Sequence, residues 1–492
     1  MNRTTKGSVT IYLMLVFEIL MVLIVTSITE ARKRAMHLRA QTCLDMGLYS
    51  IFGEYNRDLL QRYDIFAIDT TYGGECADYR YTESHLLEYL QYNMEPSTGY
   101  LAYGSKDLLR LHADVVHFTG LELMTDQSGD PLVRQIVEYM EHYYGFGMLE
   151  GVMDILNEAS DNGLVRSGNV DYWKESKSQI DQAKQNAEDD NWVSTFVNPA
   201  DEIYSDRSAG ILRLVVSDIN SLSQKVVDTN ALSSHRPLAK GTKLSFMTLL
   251  NEKYPRERDI YLEHLMVDEY CIRKMSHYGY IREEEPLSYQ LEYILNGKNS
   301  DLENLKDTCN QLLGIREISN MLHIRGDSKK NALLDKMAGT ITIQAPYLKI
   351  PVKYTLMAAW AFAESLLDIR LLLNGWRVPL IKENSDWNLT LESLLDYKDK
   401  LSKLEQDNEE EEEEDETRGL YYVDYLRILL ATKSLNRITY RISDIMELYM
   451  RNCKGNTYFR MDACINSAQA SLFVSSDYGQ QFDLIRMYSY CY

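Results

Sequence analysis

The sequence predicts an α+β protein on a single membrane anchor. Three observations carry that prediction. One long apolar run lies near the N-terminus, short strand-like segments are scattered among many helix-forming ones, and two strand-like segments flank a turn at the C-terminal end. The body is expected to be mostly helical, with a mainly antiparallel sheet covered on one side.

The anchor is residues 8–29, whose only charge is Glu18. As a helix it is ~33 Å long, enough to cross the ~30 Å hydrocarbon core of a bilayer. A secretory signal would carry a shorter apolar core, ~7–15 residues, followed by a small-x-small cleavage site. The segment that follows here, Ile28-Thr29-Glu30-Ala31-Arg32-Lys33-Arg34, offers no such site, so the span is read as uncleaved. Basic residues nearly balance across it, with Arg3 and Lys6 before and Arg32, Lys33 and Arg34 after. Residues 1–7 are too short to be a domain, and long acidic domains translocate largely regardless of charge. The expected topology therefore puts the 1–7 tail in the cytoplasm and the body outside the cell membrane. Glu18 falls mid-span, where acids usually face protein or water rather than lipid. It is a candidate contact for a second membrane helix; a protonated or snorkelling Glu in an ordinary anchor is the alternative.

Beyond the span, residues 30–62 read as a helical stalk, with Leu38, Cys43 or Leu44, Met46, Leu48, Ile51 and Phe52 as its apolar face. The body then runs over residues 63–492. Residues 63–70 read as a strand stopped by Gly73-Gly74, and 85–94 as a short helix. Over 109–123, Leu111, Ala113 and Val115 alternate with Arg110, His112 and Asp114, the period of a half-buried strand. Pro131 opens a helical region whose piece at 171–190 looks polar nearly all round, as in a solvated arm. Helices are expected at 255–277, at 300–322 with Ser300 as N-cap and Glu303 at N3, at 352–373, and over 421–450. Residues 286–295 read as a strand. Glu364 and Asp368, four apart, share one face of the 352–373 helix, with Arg370 elsewhere. Three charges there make it a core helix rather than a second span. Residues 470–475 and 482–490 flank Asp477-Tyr478-Gly479 as a hairpin.

Composition excludes several functions. The net charge of −21 repels nucleic acid, and no basic aromatic patch offsets it. Residues 405–416 hold ten acids and no base, which predicts a disordered surface loop over 405–418. The seven cysteines show no zinc spacing. Cys453 and Cys464, with Cys491 as a third, are candidates for a disulfide; dispersed buried thiols are the alternative. No hydrolase, zinc-protease or nucleotide-binding motif occurs, and Gly145, Gly147 and Gly151 have the wrong spacing for phosphate. His112 and His117 are five apart on one strand, so they are expected on opposite faces, as are Asp64 and Asp69. Asp477 reads as turn chemistry. No cofactor, metal or catalytic residue is expected.

Lys6-Gly7-Ser8-Val9-Thr10 leading into the span resembles the start of TadE- and TadG-type pseudopilins of the Tad (Flp, type IVc) pilus machinery. More of the chain resembles a Firmicute family linked to Tad loci, the domain of unknown function numbered 5702. The resemblance lies in Cys43 to Gly47, Glu54 to Arg57, Tyr63 to Asp69, Leu291 to Lys298 and Tyr425 to Leu430. It implies an N-terminus-inside anchor that packs with pilin-like helices, and a minor-pseudopilin-like or assembly role. The chain departs from the class III pilin signal, because cleavage after Gly7 would put Tyr12, not Glu, at the fifth mature position. The expected partners are the lipid bilayer, other pilin-like or Tad assembly proteins and copies of itself. The alternatives are a surface-anchored enzyme and a cell-wall-binding or adhesive module.

Overall fold

A computed structural model describes residues 5–95, 107–145, 147, 149–164, 172–186, 191–242, 259–394, 397–399, 401 and 419–490. The predicted acidic loop at 405–418 and Cys491 lie outside the described residues. The fold is α+β. It divides into a first unit, Met1–Gln135 with Pro237–Arg258 and Lys454–Tyr492, and a second, Ile136–Arg236 with Asp259–Cys453.

The first unit starts with one continuous helix, α1 (Thr5–Phe52). Its first half is apolar and exposed, with a mean hydropathy of 2.6 over its most apolar stretch. Burial begins at Met36 and continues through Ala40, Cys43, Leu44, Leu48 and Ile51, a stripe at helical spacing. Leu38 and Met46, expected on that stripe, are exposed at 66% and 39%. They sit two residues from Met36 or Ala40 and from Leu44 or Leu48, which turns them roughly half a turn away. The helix stops at Phe52 rather than near residue 62. Asn56 caps a separate helix, α2 (Arg57–Tyr63), through Oδ1, which accepts the Leu59 N–H at 3.0 Å.

A third helix, α3 (Tyr79–Met94), crosses α1 closely at Gly47, where an added Cβ would lie 3.1 Å from the Leu86 and Leu90 side chains. Both helices cover one face of an antiparallel sheet: β1 (Ile68–Asp69), β2 (Leu111–Leu123), β3 (Cys464–Ser476) and β4 (Gln481–Ser489). The central strand is β3, which pairs with β2 on one side and with β1 and β4 on the other. The strand expected at 63–70 shrinks to Ile68–Asp69. Asp64 adopts φ 55 as the C-cap of α2, and the Phe66 N–H is taken by Gln135 Oε1 at 2.8 Å instead of by a neighbouring strand.

A bulge in β2 between Ala113 and Val115 reverses the alternation there. Val115 is therefore exposed and Val116 buried. For the same reason His112 and His117 share a face, opposite Ser475 and Ser471, which are four apart on β3. The C-terminal hairpin forms as predicted, with Gly479 at φ 72 in its turn.

The second unit is helical. It contains the end of α4 (Asp126–Tyr143), α5 (Leu149–Asp161), α6 (Tyr172–Asn186), α7 (Asn191–Thr195), α8 (Ala200–Ala209), α9 (Leu212–Val215) and α10 (Ile260–Lys274). It continues with α11 (Gln290–Asn296), α12 (Asp301–Gly326), α13 (Ser328–Ile341), α14 (Lys349–Leu373), α15 (Tyr422–Ala431) and α16 (Leu435–Asn452). Pro131 lies in the first turn of α4 proper, after three left-handed residues, Gln127 to Gly129.

The centre of the second unit is α14, buried along nearly its whole length, with α6, α12 and α13 packed on it. The expected solvated arm is thus a packed helix, since Trp173, Ser176 and Ile180 of α6 form a buried stripe. Residues 290–295, within the stretch expected to be strand, form α11, buried on every side and ended by Gly297 at φ 67. An element with no exposed face shows no period that separates strand from helix. Ser300 caps α12 as predicted, accepting the Glu303 N–H at 3.2 Å.

Candidate functional site

The second unit carries ionised groups in its core. Glu364 and Asp368 lie one turn apart on α14 and are fully buried, on the shared face that their spacing predicts. Lys382 reaches both, at 2.6 Å from Asp368 Oδ1 and in a short contact with Glu364 Oε1. On the other side of Asp368, Arg316 of α12 donates Nε–H to Oδ2 at 2.9 Å. Asn320 Nδ2, one turn along α12, donates to the same oxygen at 2.9 Å. Two cations thus face two carboxylates. Burial alone would raise the Asp368 pKa, but Arg316 and Lys382 outweigh it and hold this carboxyl below the usual range.

These ions also organise backbone. Arg316 Nη1 donates to the carbonyls of Pro379 and Leu380 and to Tyr425 Oη. Glu364 accepts the N–H groups of Asn388 and Leu389, both at 2.9 Å. The irregular segment 377–389 is therefore tied to α12 and α14 by buried charges. An open cavity of about 250 Å³ lies beside them, lined by Asp368, Leu371, Arg377, Val378, Lys382 and Asn388. Because the Lys382 ammonium is engaged by two carboxylates, it is a structural cation rather than an available nucleophile. Arg370 points elsewhere, to Ser217 Oγ at 2.9 Å.

Two further clusters lie in the same unit. Glu292 of α11 accepts the Tyr278 N–H at 2.9 Å and the Tyr422 hydroxyl at 2.8 Å through one oxygen. Burial pushes its pKa up to about 7 despite those donors. Ser234 donates to Asp444 and lies 2.8 Å from His235 Nδ1. Here the hydroxyl sits between acid and imidazole, whereas nucleophilic catalysis needs the imidazole in the middle.

The residues singled out by sequence are dispersed. Glu18 is exposed on the apolar half of α1. Asp64 is a helix cap, and Asp69 closes a turn on Thr71 and accepts from Asn456. His112 bridges Glu95 (2.9 Å) and Asp477 (3.1 Å), while His117 faces Glu83 at 3.7 Å. Although they share a face, each histidine has its own carboxylates. Cys453 and Cys464 are both free thiols in different units, turned to the carbonyls of Glu284 and Arg460 respectively. Among the described residues, no group of three or more His, Cys, Asp or Glu side chains is placed to hold a metal.

A family model, described as a family of unknown function (DUF5702), matches residues 187–476, more than half of the chain. The chain belongs to the DUF5702 family. The matched DUF5702 segment contains Arg316, Glu364, Asp368, Lys382 and Tyr425, the whole of the ionic core described above, together with β3. No curated protein matches the chain. No solved structure matches it either.

Sequence reading finds Glu364 and Asp368 by their spacing but misses Arg316 and Lys382. Their partners lie 52 and 14 to 18 residues away, so no local pattern links them. The one available signal is that two acids on a strongly apolar helix require buried cations.

Proposed function

We propose that this protein is a membrane-anchored structural component of a Tad (type IVc) pilus-like system, minor-pseudopilin-like, with its tail in the cytoplasm and its body outside. The observation that carries this reading is the two-part character of α1. Its first half is exposed and, Glu18 and a few hydroxyls apart, apolar, and its second half is core of the first unit. A single rigid helix then joins lipid to folded protein with no linker between them. The likeness of Lys6 to Thr10 to pseudopilin starts supports the Tad assignment. The mutual neutralisation of charge around Asp368 suits a scaffold that works by protein–protein contact rather than by catalysis.

The experiment is affinity purification of the full-length chain from detergent-solubilised membranes of its host, paired with deletion of its gene. The reading expects Tad assembly proteins in the eluate and a loss of piliation or Tad-dependent secretion on deletion. It also expects Glu18→Gln to weaken the co-purification. Normal piliation together with an eluate free of Tad proteins would overturn it.

A further inference from the structure

One end of the first unit faces the apolar half of α1. Strand β4 runs alongside α1 in the same direction. Phe482 stacks on His37 at 3.9 Å, Arg486 pairs with Asp45 at 3.2 Å, and Tyr488 and Tyr490 pack on Phe52 at 4.7 and 4.9 Å. The β3–β4 turn therefore lies toward the membrane-spanning end of α1. There the Arg32 guanidinium sits over the Tyr478 ring, 4.0 Å from its centre.

The level of that contact follows from helix geometry. The exposed apolar stretch of α1 ends at Ile28. Arg32 is one turn further on, ~6 Å at 1.5 Å per residue. A headgroup layer is about 5–7 Å deep on each side of the hydrocarbon core. Arg32 and the ring beneath it thus fall inside that layer. The tip they form has the composition such a layer takes. Tyr478 is 41% exposed, and its hydroxyl donates to the carbonyl of Leu108, itself 73% exposed. Arg110 is at the same tip, 3.6 Å from Asp477, and Lys33 and Arg34 follow on α1. An amphipathic aromatic ring with cations around it is the pattern of interfacial anchoring.

We propose that the β3–β4 turn, with Tyr478 and Leu108 at its tip, rests among the phospholipid headgroups, so that the sheet unit is seated on the bilayer at a fixed tilt instead of standing off on a stalk. The proposal rests on the anchor reading above and adds a second point of contact to it.

The test places a photo-crosslinking amino acid at Phe17, Tyr478 or Tyr458 in the full-length chain, reconstituted in vesicles of phosphatidylethanolamine and phosphatidylglycerol. Phe17 is in the span. Tyr458 is 42% exposed and precedes β3, whose far end is ~40 Å of strand away at the turn. After irradiation, the labelled peptides are read by mass for a phospholipid adduct. The expected result is a lipid mass shift at positions 17 and 478 and none at 458. A shift at 17 alone overturns the seated turn and leaves the anchor intact. Equal shifts at 478 and 458 overturn it as non-specific collapse onto the vesicle. No shift at any position overturns the anchor reading itself.

Discussion

The main cores of the two units are built differently. In the first, helices α1 and α3 and one face of the sheet enclose hydrocarbon, from Met36, Leu44 and Leu48 through Leu86 and Leu90 to Ala470, Leu472 and Val474. Several of its ion pairs lie on the rim, such as Arg486 with Asp45 and His112 with Glu95 and Asp477, and a largely buried pair, Glu122 with Arg134, sits at the end of β2 outside that hydrocarbon cluster. In the second, Arg316, Glu364 and Asp368 have no exposed surface, and Lys382 has almost none. An apolar core loses stability in proportion to the volume removed. An ionic core is neutral only while complete, since deleting one member leaves an uncompensated charge in a poor solvent. The ionic core around Asp368 should therefore be the more sensitive to single deletions and to pH, and the hydrocarbon core around Leu44 the more tolerant of pH.

The sharpest break of this contrast is Arg316→Met. It leaves Asp368 buried with one cation fewer, and a loss of ~3–5 kcal/mol is expected. Denaturant unfolding of the full chain in detergent, followed by tryptophan fluorescence (all five tryptophans lie in the second unit), checks it. Adding Asp368→Leu to the same chain should restore much of the loss, which a simple packing defect would not allow. Next is Leu44→Ala in the first unit, with an expected cost of ~2–5 kcal/mol and no change in that cost between mildly acidic and mildly alkaline pH. A pH-dependent cost would contradict an apolar core there.

Glu292 gives a smaller effect with a defined sign. Its folded pKa of about 7 lies above the ordinary ~4.3 of an unfolded glutamate. The folded form thus retains a proton that the unfolded chain releases. Stability from this group is full below about pH 4 and declines as pH rises to about 7. Glu292→Gln should match the parent near pH 4 and exceed it by up to ~3 kcal/mol above pH 7 in the same unfolding measurement. Asp368, with its pKa held down by Arg316 and Lys382, behaves oppositely and loses its contribution only in acid.

The smallest effect is expected from His112→Ala. The Glu95 contact, aided by Asp477, raises the His112 pKa against the cost of burial. Its contribution is present below the ordinary histidine pKa and fades as pH rises through the raised value. As an exposed pair it should be worth less than ~1 kcal/mol and vanish at high salt.

What was legible in the sequence follows from the range of each signal. The long apolar helix near the N-terminus, the Ser300 cap and the C-terminal hairpin are local, and each is found where the residues place it. The 286–295 stretch misleads because α11 is buried all round and carries no period. The side-chain parity of β2 fails at its bulge, which only pairing with β3 reveals. The short motifs that carry the family resemblance turn out to mark contacts. Glu54 accepts from Tyr72 and Tyr89 and pairs with His85, Gly47 admits α3, and Tyr425 meets Arg316. Their partners are distant in sequence, so the motifs are recognisable while the contacts they make are not.

The central claim is that the first half of α1 lies in lipid and holds the folded chain there. Alkaline carbonate extraction of membranes from cells making the full-length protein tests it most directly. The account predicts that the chain stays with the pelleted membranes and enters the supernatant only with detergent. Recovery of the intact chain in the detergent-free supernatant would contradict it.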